Sequence, residues 1–356
     1  MYIPAVIKNN LSIVILLSVV IGVGYIIHQN TQNDELAKFR ALPQEEQYKK
    51  LEYIIQENGV KNAYAFLKSA YTGSNDERLG VVVFFALFLG EKLYEIYGID
   101  GLAFCDPSFH AGCYVGIIKS FMAEYGGDNL DGAVTTVLNV CAARGMTTNK
   151  LRRWCAHGIG HGFALPEKFD VGAALADCDT FFPVHKEDAA TCREGVFQEY
   201  RINVPENLLR PRDLGYPCTE LADTHKYECI HHQPDLWHYR FGFNAAQNIS
   251  SCRDFEDYRM KYNCLLGAGN YIGRESGGGY AYIKDGCQNI IDDVEAYAYC
   301  VVSAVEKIRS QKYARWKETA SILCTEINAA FQKLCNDTIY LPLGSELYSP
   351  VEKLSE

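Results

Sequence analysis

The chain has 356 residues, 48% hydrophobic and 22% charged, enough to bury a sizeable core. Its formal net charge of -10 argues against nucleic-acid binding through phosphates, which needs clustered Lys and Arg, and against anionic lipid surfaces. Fourteen cysteines without a single C-x-x-C disfavour zinc-ribbon and thioredoxin-type chemistry.

Residues 11–27, "LSIVILLSVVIGVGYII", carry no charge and meet the lower length limit for a membrane span. Lys8 precedes the run, and no Lys or Arg follows until Lys38. That bias predicts a single-pass anchor with residues 1–10 cytoplasmic and the body outside, periplasmic or extracellular. A cleaved signal peptide, with Gly22 or Gly24 near its cleavage site, is the alternative. Either way the body is exported, and an even cysteine count there reads as a disulfide framework.

Residues 28–100 are expected to hold a linker and capping helices. One helix begins near Pro43 and stops at the "NG" of 58–59. Others cover about 61–70 and 77–97.

From 101 to 336 the cysteines fall into seven consecutive pairs with gaps of 8, 14, 14, 11, 12, 13 and 11 residues. The second cysteine of each pair recurs every 35–42 residues, the period of a two-helix repeat. A helix ending at the first cysteine, a polar turn and a helix starting near the second bring the two sulfurs together. The turns offer helix N-caps at Thr147 or Thr148, Asp223 or Thr224, and Asp292 or Asp293. The predicted fold is all-α: a right-handed α-solenoid of about seven two-helix repeats, one disulfide each, behind an N-terminal transmembrane helix. The expected bridges are Cys105–Cys113, Cys141–Cys155, Cys178–Cys192, Cys218–Cys229, Cys252–Cys264, Cys287–Cys300 and Cys324–Cys335. "GRESGGGY", 273–280, reads as a flexible loop, and 337–356 as a C-terminal tail. Asn248 and Asn336 stand in glycosylation sequons.

Three residues after the second cysteine stand Gly116, Gly158, Gly195, His232, Gly267 and Ser303. Glycine costs roughly 1 kcal/mol inside a helix, so its recurrence needs a packing reason. Close approach to the first helix of the same repeat is the expected one. Two, six and nine residues after that cysteine, side chains share the face opposite it. This stripe reads His157 and His161; Glu194, Gln198 and Arg201; His231, Asp235 and His238; and Asn270. It is expected to lie outward, on an exposed concave surface, with Pro234 disturbing the row at Asp235 and His238. Trp237 and Tyr239 are further contact candidates.

His157 and His161 are four apart, as in helical zinc motifs, but the glutamate of H-E-x-x-H is missing between them. A zinc or other transition-metal site would need Glu194, His231 or His110 as third ligand. Glu194 or Glu199 would then serve as general base on bound water. The plainer reading is a pair of polar residues on a solvated helix face.

Two-helix repeats of this period with one disulfide each resemble the cysteine-rich Sel1-like repeat proteins. The resemblance covers about 100–336 and is architectural, since the L-G-x-x-Y run of that family is absent; it carries over no functional residue. "FHAGCYVG" and "CAHGIGHG" also look like motifs of uncharacterised membrane-anchored bacterial proteins, which bears on localisation only. The functional expectation is a binding module for an extracytoplasmic peptide, protein or glycan. The alternative is a metal-dependent hydrolase centred on His157 and His161. Non-reducing peptide mapping is expected to recover Cys141 linked to Cys155; a Cys155–Cys178 link would overturn the register.

Overall fold

A computed structural model describes residues 34–71, 79–146 and 148–340. The expected anchor at 11–27 and residues 341–356 of the tail lie outside them. Among the described residues there is no β-strand, and no helix is long and apolar enough to cross a membrane.

The chain divides at residue 74 into two compact units. In the first, a helical segment over 34–41 (α1) precedes α2 (Gln44–Asn58) and α3 (Val60–Tyr71). Gly59, at φ 84°, ends α2 in the left-handed region that glycine tolerates. Gln47 ties the unit together, donating to Phe39 O (2.8 Å) and Tyr71 Oη (2.7 Å).

The second unit holds α4 (Leu79–Tyr97), α5 (Gly112–Tyr125), α6 (Leu130–Ala143), α7 (Asn149–Phe163), α8 (Val171–Phe181) and α9 (Lys186–Asn203). It continues with α10 (Asp223–Phe241), α11 (Ala245–Arg253), α12 (Tyr258–Glu275), α13 (Tyr280–Cys287), α14 (Val294–Gln311), α15 (Trp316–Glu326) and α16 (Ala329–Tyr340). Helices α4, α5, α7, α9, α10, α12, α14 and α16 pack each on the next, as an inner row. The others, α6, α8, α11, α13 and α15, form a second layer, each lodged against the inner helices that flank it. So α4, expected among the capping helices, opens the inner row. The first four residues of the expected tail, 337–340, complete α16.

All seven bridges form in the expected register, with Cα–Cα distances from 5.3 to 6.6 Å. Each closes a short loop and restricts the unfolded chain by roughly 2–3 kcal/mol in the chain-entropy view. The repeats are less uniform than their cysteines. Cys105 follows a 3₁₀ segment (Gly98–Phe104), and Cys218 opens another (Cys218–Glu220), in place of first helices. The chain before Cys218 contains Pro205, Pro211 and Pro217, each lacking the N–H a helix interior needs. At the turns, Asp293 caps α14 by accepting from Ala296 N, whereas Ala222 occupies the cap position of α10. Gly277 and Gly278 turn the chain between α12 and α13, so "GRESGGGY" is half helix and half turn. Asn248 is fully buried and donates to Pro234 O (3.1 Å), which removes its sequon from reach.

The recurrent glycines do not face the first helix of their own repeat. A Cβ on Gly158 would press on the Ile118 side chain of the preceding inner helix. On Gly195 it would strike His157 O, on Gly116 Leu87 O and on Gly267 His231 O. A second set faces forward: Gly160 meets Cys192 O and Gly269 meets Cys300 O. Successive inner helices therefore touch backbone to backbone, and the expected contact partner is corrected accordingly. Gly160→Ala would drive a methyl into a carbonyl that cannot swing away. It is expected to destabilise the body by about 1–3 kcal/mol or more. Thermal melts with intact disulfides check this against Gly127→Ala, where the added Cβ meets nothing within 4 Å.

Candidate functional site

With the staple on one side of each inner helix from α5 onward and glycines on the flanks of most of them, one face is left. It is the polar stripe, and it points inward. Helices α4, α5, α7, α9, α10, α12 and α14 line a partly open cavity of about 530 Å³, and the stripe faces it. His157 is 6% exposed, His161 2%, Arg201 9% and Asp235 9%. The expected open concave surface is thus an interior. Curvature explains the difference: the spacing of a repeat shows which residues share a face, not how tightly the row bends around it.

One wall is imidazole. His157 Nδ1 lies 3.2 Å from Thr191 O, a carbonyl that can only accept, so Nδ1 carries the proton. His161 Nδ1 lies 2.9 Å from a Glu199 carboxylate oxygen in the same sense. Glu199 is 1% exposed, and its other oxygen accepts from Asn203 Nδ2 (2.6 Å) and pairs with Lys119 Nζ (3.2 Å). Burial works against its charge, but the hydrogen bond and charge of His161, then Lys119 and Asn203, hold its carboxyl below the ordinary range. His161 Nε2 has no partner among the described residues and belongs to the cavity wall. The two rings stand edge to face, 4.9 Å apart, and Trp154 stands edge-on to His157 at 6.2 Å.

Burial pushes His157 down to about 4, with the charge of His161 adding to it. Burial likewise takes His231 to about 4, and burial plus His231 takes His232 to about 3. These three imidazoles are neutral at pH 7 and can accept or donate without carrying charge.

The other wall is ionic. Asp235 receives both arms of Arg274, at 2.8 Å each, and a short hydrogen bond from Arg201 Nη1. Burial opposes its ionisation, yet Arg274 and Arg201 outweigh burial and hold it well below the carboxylate range. The guanidinium carbons of Arg201 and Arg274 stand 5.0 and 5.5 Å from the centre of the Tyr239 ring. Pro234 sits inside α10 without breaking it, so Asp235 keeps its place on the inward face. His238 turns elsewhere, its Nδ1 2.9 Å from Phe243 O and 3.0 Å from Tyr271 Oη. Lys307 on α14 is pushed down by burial and by Arg274.

His157, His161, Glu194, Gln198, Arg201, His231, Asp235 and Asn270 all reach this one cavity, and His110 joins them. Glu199 acts from behind, through His161. Among the described residues, however, no three of His, Cys, Asp or Glu stand close enough to hold a metal ion. The expected set of His157 and His161 with Glu194 or His231 is not assembled. Trp237 is fully buried in the core, whereas Tyr239 faces the cavity.

Lys307 and Arg274 escaped the sequence reading. They stand seven residues after Cys300 and ten after Cys264, off the stripe. At ~100° per residue both share the flank of the glycine three after the cysteine, which faces the preceding inner helix. Long side chains on that flank reach back along the row, as Glu199 does to His161 and Arg274 to Asp235. The glycine pattern marks this flank in the sequence.

No family model matches the chain, and no curated protein or solved structure is significantly similar to it.

The neutral imidazoles set an acid limit on stability. Unfolded, these histidines take up protons below about 6.5; folded, His157 and His231 refuse them until about 4. A depressed folded pKa means stability is full above pH 6.5 and is lost as pH falls toward 4, at about 1.4 kcal/mol per unit of difference for each group. Urea unfolding between pH 7 and 5 is expected to show a falling midpoint with a slope approaching three protons. His231→Gln should flatten that slope by about one proton; an unchanged slope would refute the burial argument.

Proposed function

We propose that the chain is a membrane-anchored, extracytoplasmic binding protein that takes a small polar molecule into the cavity of its helical row. One observation supports this most: the polar stripe of the repeat lines a concave, partly open space of about 530 Å³. Small-ligand sites typically measure about 300–1,000 Å³, are largely preformed and carry a few convergent polar groups. A folded protein or long peptide needs an open face of ~800 Å². A small polar molecule, a short peptide end or a sugar unit fits the space. The apolar run at 11–27 and the charge bias around it support the anchor, and the seven disulfides fit an oxidising compartment outside the cytoplasm. We read the row as a right-handed solenoid, in keeping with the two-helix period.

A second reading, metal-dependent hydrolysis at His157 and His161, is favoured by one contact. Glu199 accepts from His161 Nδ1, as outer carboxylates do behind metal-bound histidines, which leaves Nε2 for a zinc-type ion. Such an ion would take its remaining ligands from water or substrate, because Glu194 and His231 do not complete the set.

Two measurements on the full chain, purified with its disulfides intact, separate the readings. Native mass spectrometry is expected to show one small molecule per chain, lost in Asn270→Trp, which fills the cavity, while the melting temperature changes little. Binding that survives Asn270→Trp would exclude the cavity. Stoichiometric metal, lost in the double variant His157→Ala/His161→Ala, would favour the second reading; a metal-free chain would sink it.

A further inference from the structure

Charges in the cavity are closed by partners with two exceptions. Asp235 holds Arg201 and Arg274, and Glu199 holds Lys119. Glu194, on α9, accepts one hydrogen bond from Gln198 Nε2 (3.2 Å) but, among the described residues, has no Lys, Arg or His nitrogen within 4.0 Å. The Lys307 ammonium, on α14, makes no hydrogen bond or ion pair among the described residues, although the Lys307 carbonyl accepts from Ser310 Oγ (2.8 Å). Both line the same cavity, and each acts on the other's charge. Helices α10 and α12 stand between α9 and α14 in the row, so the backbone keeps this acid and this base from closing on each other.

Two opposite, half-buried charges held apart form an unmet demand. Burial disfavours each charged form, and an isolated buried ion is costly unless something pairs with it. A ligand bearing only an anion would answer Lys307 and leave Glu194 alone. A ligand bearing only a cation would do the reverse. Resting on the reading of the cavity as a ligand site, we propose that its ligand is a small zwitterion of the α-amino acid or betaine class. Glu194 receives the ammonium group and Lys307 the carboxylate. Such a molecule brings no net charge into the interior and pairs both orphaned ions at once.

The surroundings fit each end. Near Glu194 lie His157 and His232, neutral at pH 7, so they do not repel an ammonium group and can accept from it. Near Lys307 lie Arg274, Arg201 and Asp235; Asp235 fixes the two guanidinium groups in place, so its own charge is answered by them and the net field of the cluster with Lys307 favours a carboxylate. The Asn270 and Gln311 amides also line the cavity and have no hydrogen-bond partner among the described residues. They can donate to a carboxylate or accept from an ammonium.

Calorimetric titration of the full chain tests this, with four sets of probes: the standard α-amino acids with glycine betaine, simple monocarboxylates, simple primary amines, and neutral sugars. At least one zwitterion is expected to bind more tightly than any other probe. Glu194→Gln and Lys307→Met should each weaken it by roughly tenfold to a hundredfold, the size of a lost charged hydrogen bond. Glu194→Gln should leave carboxylate binding intact or improved, and Lys307→Met should do the same for amines. Misfolding cannot produce those opposite changes. Tighter binding of a sugar, carboxylate or amine, indifferent to Glu194, would overturn the zwitterion and leave the cavity reading standing. Absence of binding by every set would remove both.

Discussion

The structure depends on backbone contact between successive inner helices. Glycines at Gly116, Gly158, Gly160, Gly195, Gly267 and Gly269 remove the side chains that would hold these helices apart. An α-helix has only so many faces, and here each is assigned. One carries the disulfide to the outer layer. The two flanks are bare and meet their neighbours. The fourth carries polar groups and has nowhere to go but inward. Close flanks bring polar faces from five helices, α7, α9, α10, α12 and α14, around a single space that apolar residues of α4 and α5 also line.

That closeness governs the chemistry. A histidine pair on an open helix face would titrate normally and be held by water. Inside the row, burial neutralises His157, His231 and His232, and it makes every remaining charge dependent on a partner. The partners come from adjacent helices because the flank residues are long: Glu199 reaches His161, and Arg274 reaches Asp235. Most of the cavity's ions are satisfied this way by the protein itself. Glu194 and Lys307 stand on helices that are not neighbours in the row and make no ion pair with each other, and this difference marks them.

Much of this was legible in the sequence. The cysteine spacing specified all seven bridges, because a helix–turn–helix unit leaves few ways to bring two cysteines together. Helical periodicity put His157, His161, Glu194, Gln198, Arg201, Asp235 and Asn270 on one face, and they share one cavity. The direction of that face was not legible. Gly158 has the same spacing from Cys155 whether it serves the outer helix or the neighbouring inner one. Only the three-dimensional packing of Ile118 against it decides between them. The disturbance expected at Pro234 spares Asp235, which stays on the cavity face, while His238 does leave the row; a proline costs a helix its hydrogen bond without necessarily ending it. The carbonyl of Pro234 is taken up by the buried Asn248 side chain.

The same assignment of faces explains the density of disulfides. A helix in an ordinary bundle buries an apolar stripe against a shared centre. Here the centre is polar, and the flanks are glycine, which disfavours helix by roughly 1 kcal/mol per residue and buries little area of its own. The apolar contact left to each unit lies between the inner and outer layers, where a short helix such as α13 meets α12 and α14. The cysteines sit in that thin seam, all but Cys105 buried to within a few per cent. Each bond there acts mainly on the unfolded chain, restricting it locally, and needs no added volume in the folded one. A polar interior and a stapled wall are therefore two sides of one design: the row can leave its centre polar because its cohesion does not come from the centre.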